Sequence, residues 1–174
     1  LAERTIALAQ KRKLQDPRKG YDPLLERRIE SLLPLLKNKT RLITNMGAAS
    51  PIEGAKKIIE IANKQNVKIK VAAVTGDDVF EKIDHSTLAI ETNAPLRHSG
   101  DLISANAYLG MEGILKALHA GADVVITGRV ADPSLFLAPM VFEFGWNTSD
   151  YDLMGKGTVI GHLLECAGQV TGGY

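Results

Sequence analysis

Apolar positions along the chain alternate between a helical period and short solid runs. In Leu1 to Leu14, Ala2, Ile6 and Ala9 recur at spacings of four and three, the mark of an amphipathic helix. Asp16-Pro17 and Lys19-Gly20 break it. Asp22 with Pro23 then supplies a cap and a first-turn proline. Leu25, Ile29, Leu32, Leu33 and Leu36 form one stripe, and Pro34 is expected to kink or shorten that helix. Arg41 to Thr44 reads as a short strand. After the loop Asn-Met-Gly-Ala-Ala-Ser, Ser50 and Pro51 open a helix that buries Ile52, Ala55, Ile58, Ile59 and Ala62. Lys68 to Thr75 is the next strand, nearly apolar as strands covered on both faces tend to be.

The next stretch, Gly76 to Asp101, is irregular and reads as a polar excursion. Asp101 to Tyr108 is a weaker strand, and Gly113 to Ala120 a helix ended by Gly121. Asp123 to Thr127 is the clearest strand. Asp132 and Pro133 start a helix reaching Phe144, and a last helix covers Leu153 to Gln169. Strands alternating with helices predict an α/β fold: three-layer, with a mostly parallel sheet and helices on both faces, Rossmann-like. Residues 1–174 read as one such α/β domain, incomplete and a fragment of a longer chain. The chain has no initiator Met, opens directly into a helical pattern and stops at Thr171-Gly172-Gly173-Tyr174.

Bulk composition narrows the class only modestly. At 174 residues, with 45 % apolar and 24 % charged positions, the chain can build an ordinary core and is not disordered. A net charge of +1 gives no electrostatic case for nucleic acid. No apolar run reaches the ~18 residues of a membrane span. The lone Cys166 has no internal disulfide partner, which favours a reducing, cytoplasmic setting.

Three constellations carry candidate chemistry. In Gly128-Arg129-Val130-Ala131-Asp132-Pro133, Gly128 permits a close backbone approach. Arg129 offers a planar fork for carboxylate or phosphate. The helix start behind it favours anions, with Asp132 placed to cap it. Asn45-Met46-Gly47-Ala48-Ala49-Ser50-Pro51 repeats the same order of strand, turn and helix. Asn45 and Gly47 are its candidate substrate contacts, and it is neither a Walker loop nor a dinucleotide fingerprint. Asn106 is expected at the same sheet edge. On the last helix, Thr158, His162, Glu165, Cys166 and Gln169 share a polar stripe, read as enclosed. Val159, Ile160, Leu163, Leu164 and Ala167 are expected to be the buried side. Gly157, Gly161 and Gly168 form a narrow stripe where another backbone can pack. His162 and Glu165 suit acid–base work. The set resembles metal ligands, but His-x-x-Glu-Cys matches no helical zinc motif, and no metal is assigned. Asp77, Asp78, His85 and His98 show no ligand pattern. Trp146 is expected in the core or at a subunit interface.

The run SANAYLGMEGILKALHAGADVVITGRVADPSLFLAPMVFEFGW, followed by GTVIGHLLECAGQVTGGY, resembles the acyclic terpene utilisation protein A family, as does LITNMGAASP. The resemblance implies a longer parent chain, with a Gly-rich segment upstream of Leu1 and a large part after the Gly-Gly. It also implies a setting in the breakdown of citronellol and geraniol, whose intermediates are branched acyl-CoA thioesters.

These readings converge on a catabolic protein acting on a branched organic acid or its CoA thioester in a lyase- or hydratase-like step. His162, Glu165 and Asp132 are the candidate catalytic residues. Arg129, Gly128, Asn45, Gly47 and Asn106 are the candidate substrate contacts. No cofactor is identified, with a CoA thioester as candidate substrate. The expected partners are a small molecule and a second subunit, identical or not, with no nucleic acid and no membrane. The alternative is a non-catalytic α/β domain that binds an acyl-CoA or a partner.

Overall fold

The computed structural model describes residues 2–36 and 40–173. Leu1, where the first expected helix opens, Tyr174 and the side chain of Ala2 lie outside what is described. The sheet has three strands, β1 (Leu42–Thr44), β2 (Val71–Val74) and β3 (Val124–Thr127), all parallel, in the order β1-β3-β2. Around them run α1 (Ala2–Gln15), α2 (Leu25–Leu32), α3 (Pro51–Lys64), α4 (Glu112–His119), α5 (Ser134–Phe144) and α6 (Tyr151–Cys166). The expected α/β arrangement with a parallel sheet is met by this small sheet.

β3 is central because it is apolar on both faces. Val124, Val125 and Ile126 are fully buried, and register pairs Val124 with both Leu42 and Val71. Alternate side chains leave a strand in opposite directions. Val124 and Ile126 pack with Leu25, Ile29, Ala55, Ile58 and Ile61 of α2 and α3. Val125 packs with Ile114 and Leu118 of α4 and with Leu137, Ala138 and Val141 of α5. Trp146 packs against this second cluster, in keeping with a core position. A smaller contact joins Ile6 and Ala9 of α1 to Ala48 and Ala49, so the first helix lies over the loop after β1.

Several expected elements shift. Pro34 ends α2, and a 3-10 turn over Leu33–Leu35 replaces its last turn. Asp101 to Tyr108 forms no strand. It contributes to isolated bridges, where Asn106 pairs with Asp78 and the adjacent Leu109 with Val130. Of the three expected capping side chains, Asp22 alone bonds a backbone N–H near its helix start, accepting that of Leu24 at 2.7 Å just ahead of α2, and neither Asp132 nor Ser50 caps. α5 begins at Ser134, one residue past Pro133, and the Asp132 carboxylate turns to Arg129 instead. Ser50 makes no capping bond either, because its Oγ donates to the Pro17 carbonyl at 3.3 Å. Pro51 does occupy the first turn of α3, where its missing N–H is of no consequence.

The last helix is the largest correction. Its expected buried side faces solvent: Val159, Ile160, Leu163 and Leu164 are all about half exposed or more. The polar stripe is not enclosed either, since Thr158, His162 and Glu165 are exposed. Gly157 and Gly161 alone are buried on α6, and the helix docks through them. A Cβ at Gly161 would come within 2.8 Å of the Pro133 carbonyl, and one at Gly157 within 2.7 Å of Leu137. The nearest Gly161 neighbour is backbone and leaves no room for a side chain, and the Gly157 neighbours are the Leu137 and Trp146 side chains, so the glycine stripe decides which face of α6 is inside.

Candidate functional site

Two loops leave the carboxyl ends of neighbouring strands and meet. The loop after β1 turns tightly: Ala48 N–H donates to the Asn45 carbonyl at 3.1 Å, and Ser50 N–H to that of Gly47 at 2.8 Å. Ala48 is held at φ +45°, a conformation costly for a residue with a side chain. Gly47 is required because a Cβ there would collide with the Thr127 carbonyl and with Pro51. The loop after β3 begins at Gly128, where a Cβ would collide with the Asp77 carboxylate. Asp77 Oδ2 accepts the Arg129 N–H at 2.7 Å and the Asn106 Nδ2 at 3.0 Å.

Between the loops lies a cavity of about 250 Å³ lined by Thr5, Ile6, Asp22, Arg28, Asn45, Met46, Ala48, Gly128, Arg129, Asp132 and Glu165. It brings together five residues that the sequence singles out: Asn45, Gly128, Arg129, Asp132 and Glu165. The others lie outside it. Gly47 shapes the turn without lining the cavity. Asn106 lines an adjacent cavity of about 300 Å³, with Lys13, Ser50, Asp77 and Asp78. His162 is exposed on α6, one turn from Glu165.

Arg129 is held firmly. Its side chain is 6 % exposed, Nη1 lies 3.2 Å from Asp132 Oδ1, and the guanidinium stacks 4.1 Å over the Tyr108 ring. Such a pair presents a fixed array of charge rather than a mobile one. Arg28, from the exposed side of α2, brings a second guanidinium to the cavity, with Nη1 3.8 Å from Met46 Sδ. Glu165 adds a carboxylate from the end of α6. Its Oε2 accepts the Cys166 thiol at 3.1 Å, and that bond, with burial secondary, raises the thiol above its ordinary pKa. A thiol held protonated is a weak nucleophile at neutral pH, and Cys166 does not line the cavity, whereas Glu165 does. Oxygen and nitrogen donors at one sheet edge, two guanidinium groups and an accessible carboxylate can hold an anion and move a proton beside it.

Sequence reasoning missed Arg28, Asp22 and Asp77. Arg28 and Asp22 fall in a charged, solvent-facing stretch, where nothing in the pattern separates a cavity residue from a surface one. Asp77 falls in the irregular segment expected to lie on the surface, yet it is 4 % exposed. Gly128 was a usable signal for it, because a glycine after a solid strand implies a close neighbour.

The family described as Acyclic terpene utilisation family protein AtuA matches residues 1–174, and the chain belongs to that family. No curated protein and no solved structure matches the chain. No helix among the described residues is long and apolar enough to cross a membrane.

Proposed function

We propose that this member of the acyclic terpene utilisation family binds a small branched organic acid, or the acyl end of its CoA thioester, in the crevice between the two loops. There it carries out a lyase- or hydratase-like step, in a cytoplasmic catabolic setting. One observation carries the reading. β1 and β3 are neighbours, and the helices that follow them pack with side chains of opposite pleat parity: α3 with Ile126, α5 with Val125. We take the sheet as part of a Rossmann-like, three-layer arrangement. A crevice outside the carboxyl ends of two such strands is the usual ligand site of open α/β sheets.

The roles follow from charge and reach. Arg28 and Arg129 hold the carboxylate or thioester oxygen, with Asn45 and the Gly128 backbone beside them. Asp132 fixes the Arg129 fork. Glu165 moves the proton next to the carbonyl, and His162 exchanges it with solvent. A cavity of about 250 Å³ fits an acid of a few carbons and leaves a CoA carrier outside.

Thermal unfolding of the protein with branched acids and acyl-CoA thioesters tests the binding half. A ligand at one hundred times its Kd raises apparent stability by about 2.7 kcal/mol, and Arg28→Ala should remove that rise. For the chemical half, Glu165→Gln and His162→Ala should abolish turnover while keeping ligand affinity. Turnover that survives both changes sinks the acid–base assignment. The half-exposed Val159, Ile160, Leu163 and Leu164 favour a second reading, a non-catalytic domain that packs on a partner subunit through α6. Under that reading, no acid or thioester shifts the unfolding curve.

A further inference from the structure

The last turn of α6 carries a second feature beside the crevice. His162, Glu165 and Cys166 each offer one ligand atom, and these atoms lie within 4.8 Å of one another. We propose that His162, Glu165 and Cys166 form a binding site for a thiophilic divalent cation of the zinc class, open on the side of the crevice. The residue order alone argued against a metal, because it matches no familiar helical pattern. The fold argues for one through placement.

Residues i, i+3 and i+4 share one face of a helix, so the three donors converge without help from a distant segment. Zinc–nitrogen and zinc–oxygen distances of ~2.0 Å and zinc–sulfur of ~2.3 Å put tetrahedral ligand atoms roughly 3.5 Å apart. Ligand atoms within 4.8 Å of one another have at most about 1.3 Å to close to reach that spacing. Imidazole, carboxylate and thiolate are three donors zinc accepts, and three protein ligands with an open fourth position is the arrangement of catalytic rather than structural zinc.

Two further observations support the site. The Cys166 thiol donates to Glu165 Oε2 at 3.1 Å, so a proton now bridges two of the three ligands. A divalent cation replaces that proton with a stronger bridge, and its binding releases a proton to solvent. The end of α6 is also suited to a cation. Cys166 ends α6, where the helix dipole favours cations, and the Asp132 carboxylate lies near enough to act on the thiol. Glu165 and Asp132 both line the crevice, so a cation here adjoins any acid bound there. The site shares Glu165 and His162 with the proposed proton transfer but does not depend on it.

The test uses the purified protein, stripped with chelator under reducing conditions and titrated with Co²⁺. Bound cobalt should show tetrahedral visible bands and a near-ultraviolet thiolate-to-cobalt band, both removed by added Zn²⁺. Cys166→Ser should erase the near-ultraviolet band, and His162→Ala should weaken cobalt affinity at least tenfold. His162 is exposed and Cys166 lies at the helix end, so both variants should keep the wild-type circular dichroism spectrum. Absence of a thiolate band in the wild type, or the same band in Cys166→Ser, overturns the site. The readout needs no turnover, so its failure is distinct from failure of the organic-acid reading.

Discussion

Asp77 accepts the backbone N–H of Arg129 at 2.7 Å, across 52 residues of sequence. The same oxygen accepts the Asn106 amide, and the missing side chain of Gly128 makes room for the carboxylate. One buried acid therefore fixes the backbone from which Arg129 reaches the crevice. Removing it leaves a buried N–H and a partly buried amide without their acceptor. Hydrogen bonds to a charged group contribute roughly 1.5–3 kcal/mol, and orphaned donors add their own penalty. Asp77→Ala should lower stability by about 2–4 kcal/mol in urea unfolding and weaken crevice ligands. A loss below about 0.5 kcal/mol would show that the loop after β3 holds itself.

α6 offers a paired test of its docking. Alanine in place of glycine within a helix is worth about 1 kcal/mol in its favour. At Gly155 nothing lies within 4 Å of the added Cβ, so Gly155→Ala should stabilise by about that amount. At Gly161 the Cβ would press on Pro133, carbonyl and ring alike. Overpacking of that kind costs about 1–3 kcal/mol, so Gly161→Ala should be net destabilising. It should also disturb the crevice, because Glu165 lies one turn further along. Equal effects of the two changes in chemical unfolding would rule out close packing through the glycine stripe.

The same contrast explains what was legible in the chain. The loops after β1 and β3 were readable because their signals are local: a solid apolar run, a glycine, then a proline that starts a helix. Five of the site residues picked from those signals and from α6 do converge on one cavity. α6 itself was misread because three stripes compete on its surface, and apolar content pointed to Val159, Ile160, Leu163 and Leu164. Contact distance decided otherwise: only Gly157 and Gly161 allow the backbone of Pro133 and the side chain of Leu137 to approach. Capping was misread for a similar reason. Asp132 has the right type and position for a cap, but Arg129 is a stronger partner for a carboxylate than a backbone N–H. Asp77 was hard to single out because its partners are distant in sequence, with Gly128 as the local sign of a close neighbour.

On the surface of α3, Glu60 bonds Lys57 at 2.8 Å and Lys64 at 2.7 Å. These bonds hold its carboxyl down to about 2. A carboxyl with a folded pKa below its unfolded value, ~4.3, favours the folded state above that value. The contribution fades as pH falls from there toward about 2. Glu60→Gln should therefore be less stable than wild type at neutral pH, with the gap closing through that acid window. The pair is exposed, so the gap should also shrink in 1 M salt, where the Debye length is about 3 Å. A gap independent of pH would place the effect in packing rather than charge.

The bond between Cys166 and Glu165 makes a last prediction that separates two chemistries at the end of α6. The carboxylate accepts the thiol proton at 3.1 Å and raises the thiol pKa, with burial and the Asp132 charge acting in the same direction. In metal-free protein at neutral pH, Cys166 should thus react with iodoacetamide more slowly than an ordinary exposed thiol. The thiolate, not the thiol, is the nucleophile. Glu165→Gln removes the anion and should move the alkylation pH profile toward lower pH, giving faster labelling at pH 7. Glu165→Asp shortens the reach and should move it the same way by less. A cysteine that labels rapidly in the wild type, with a profile unmoved in both variants, would restore a thiolate nucleophile to the list of reactive groups beside the crevice and weaken the case for Glu165 as the proton carrier.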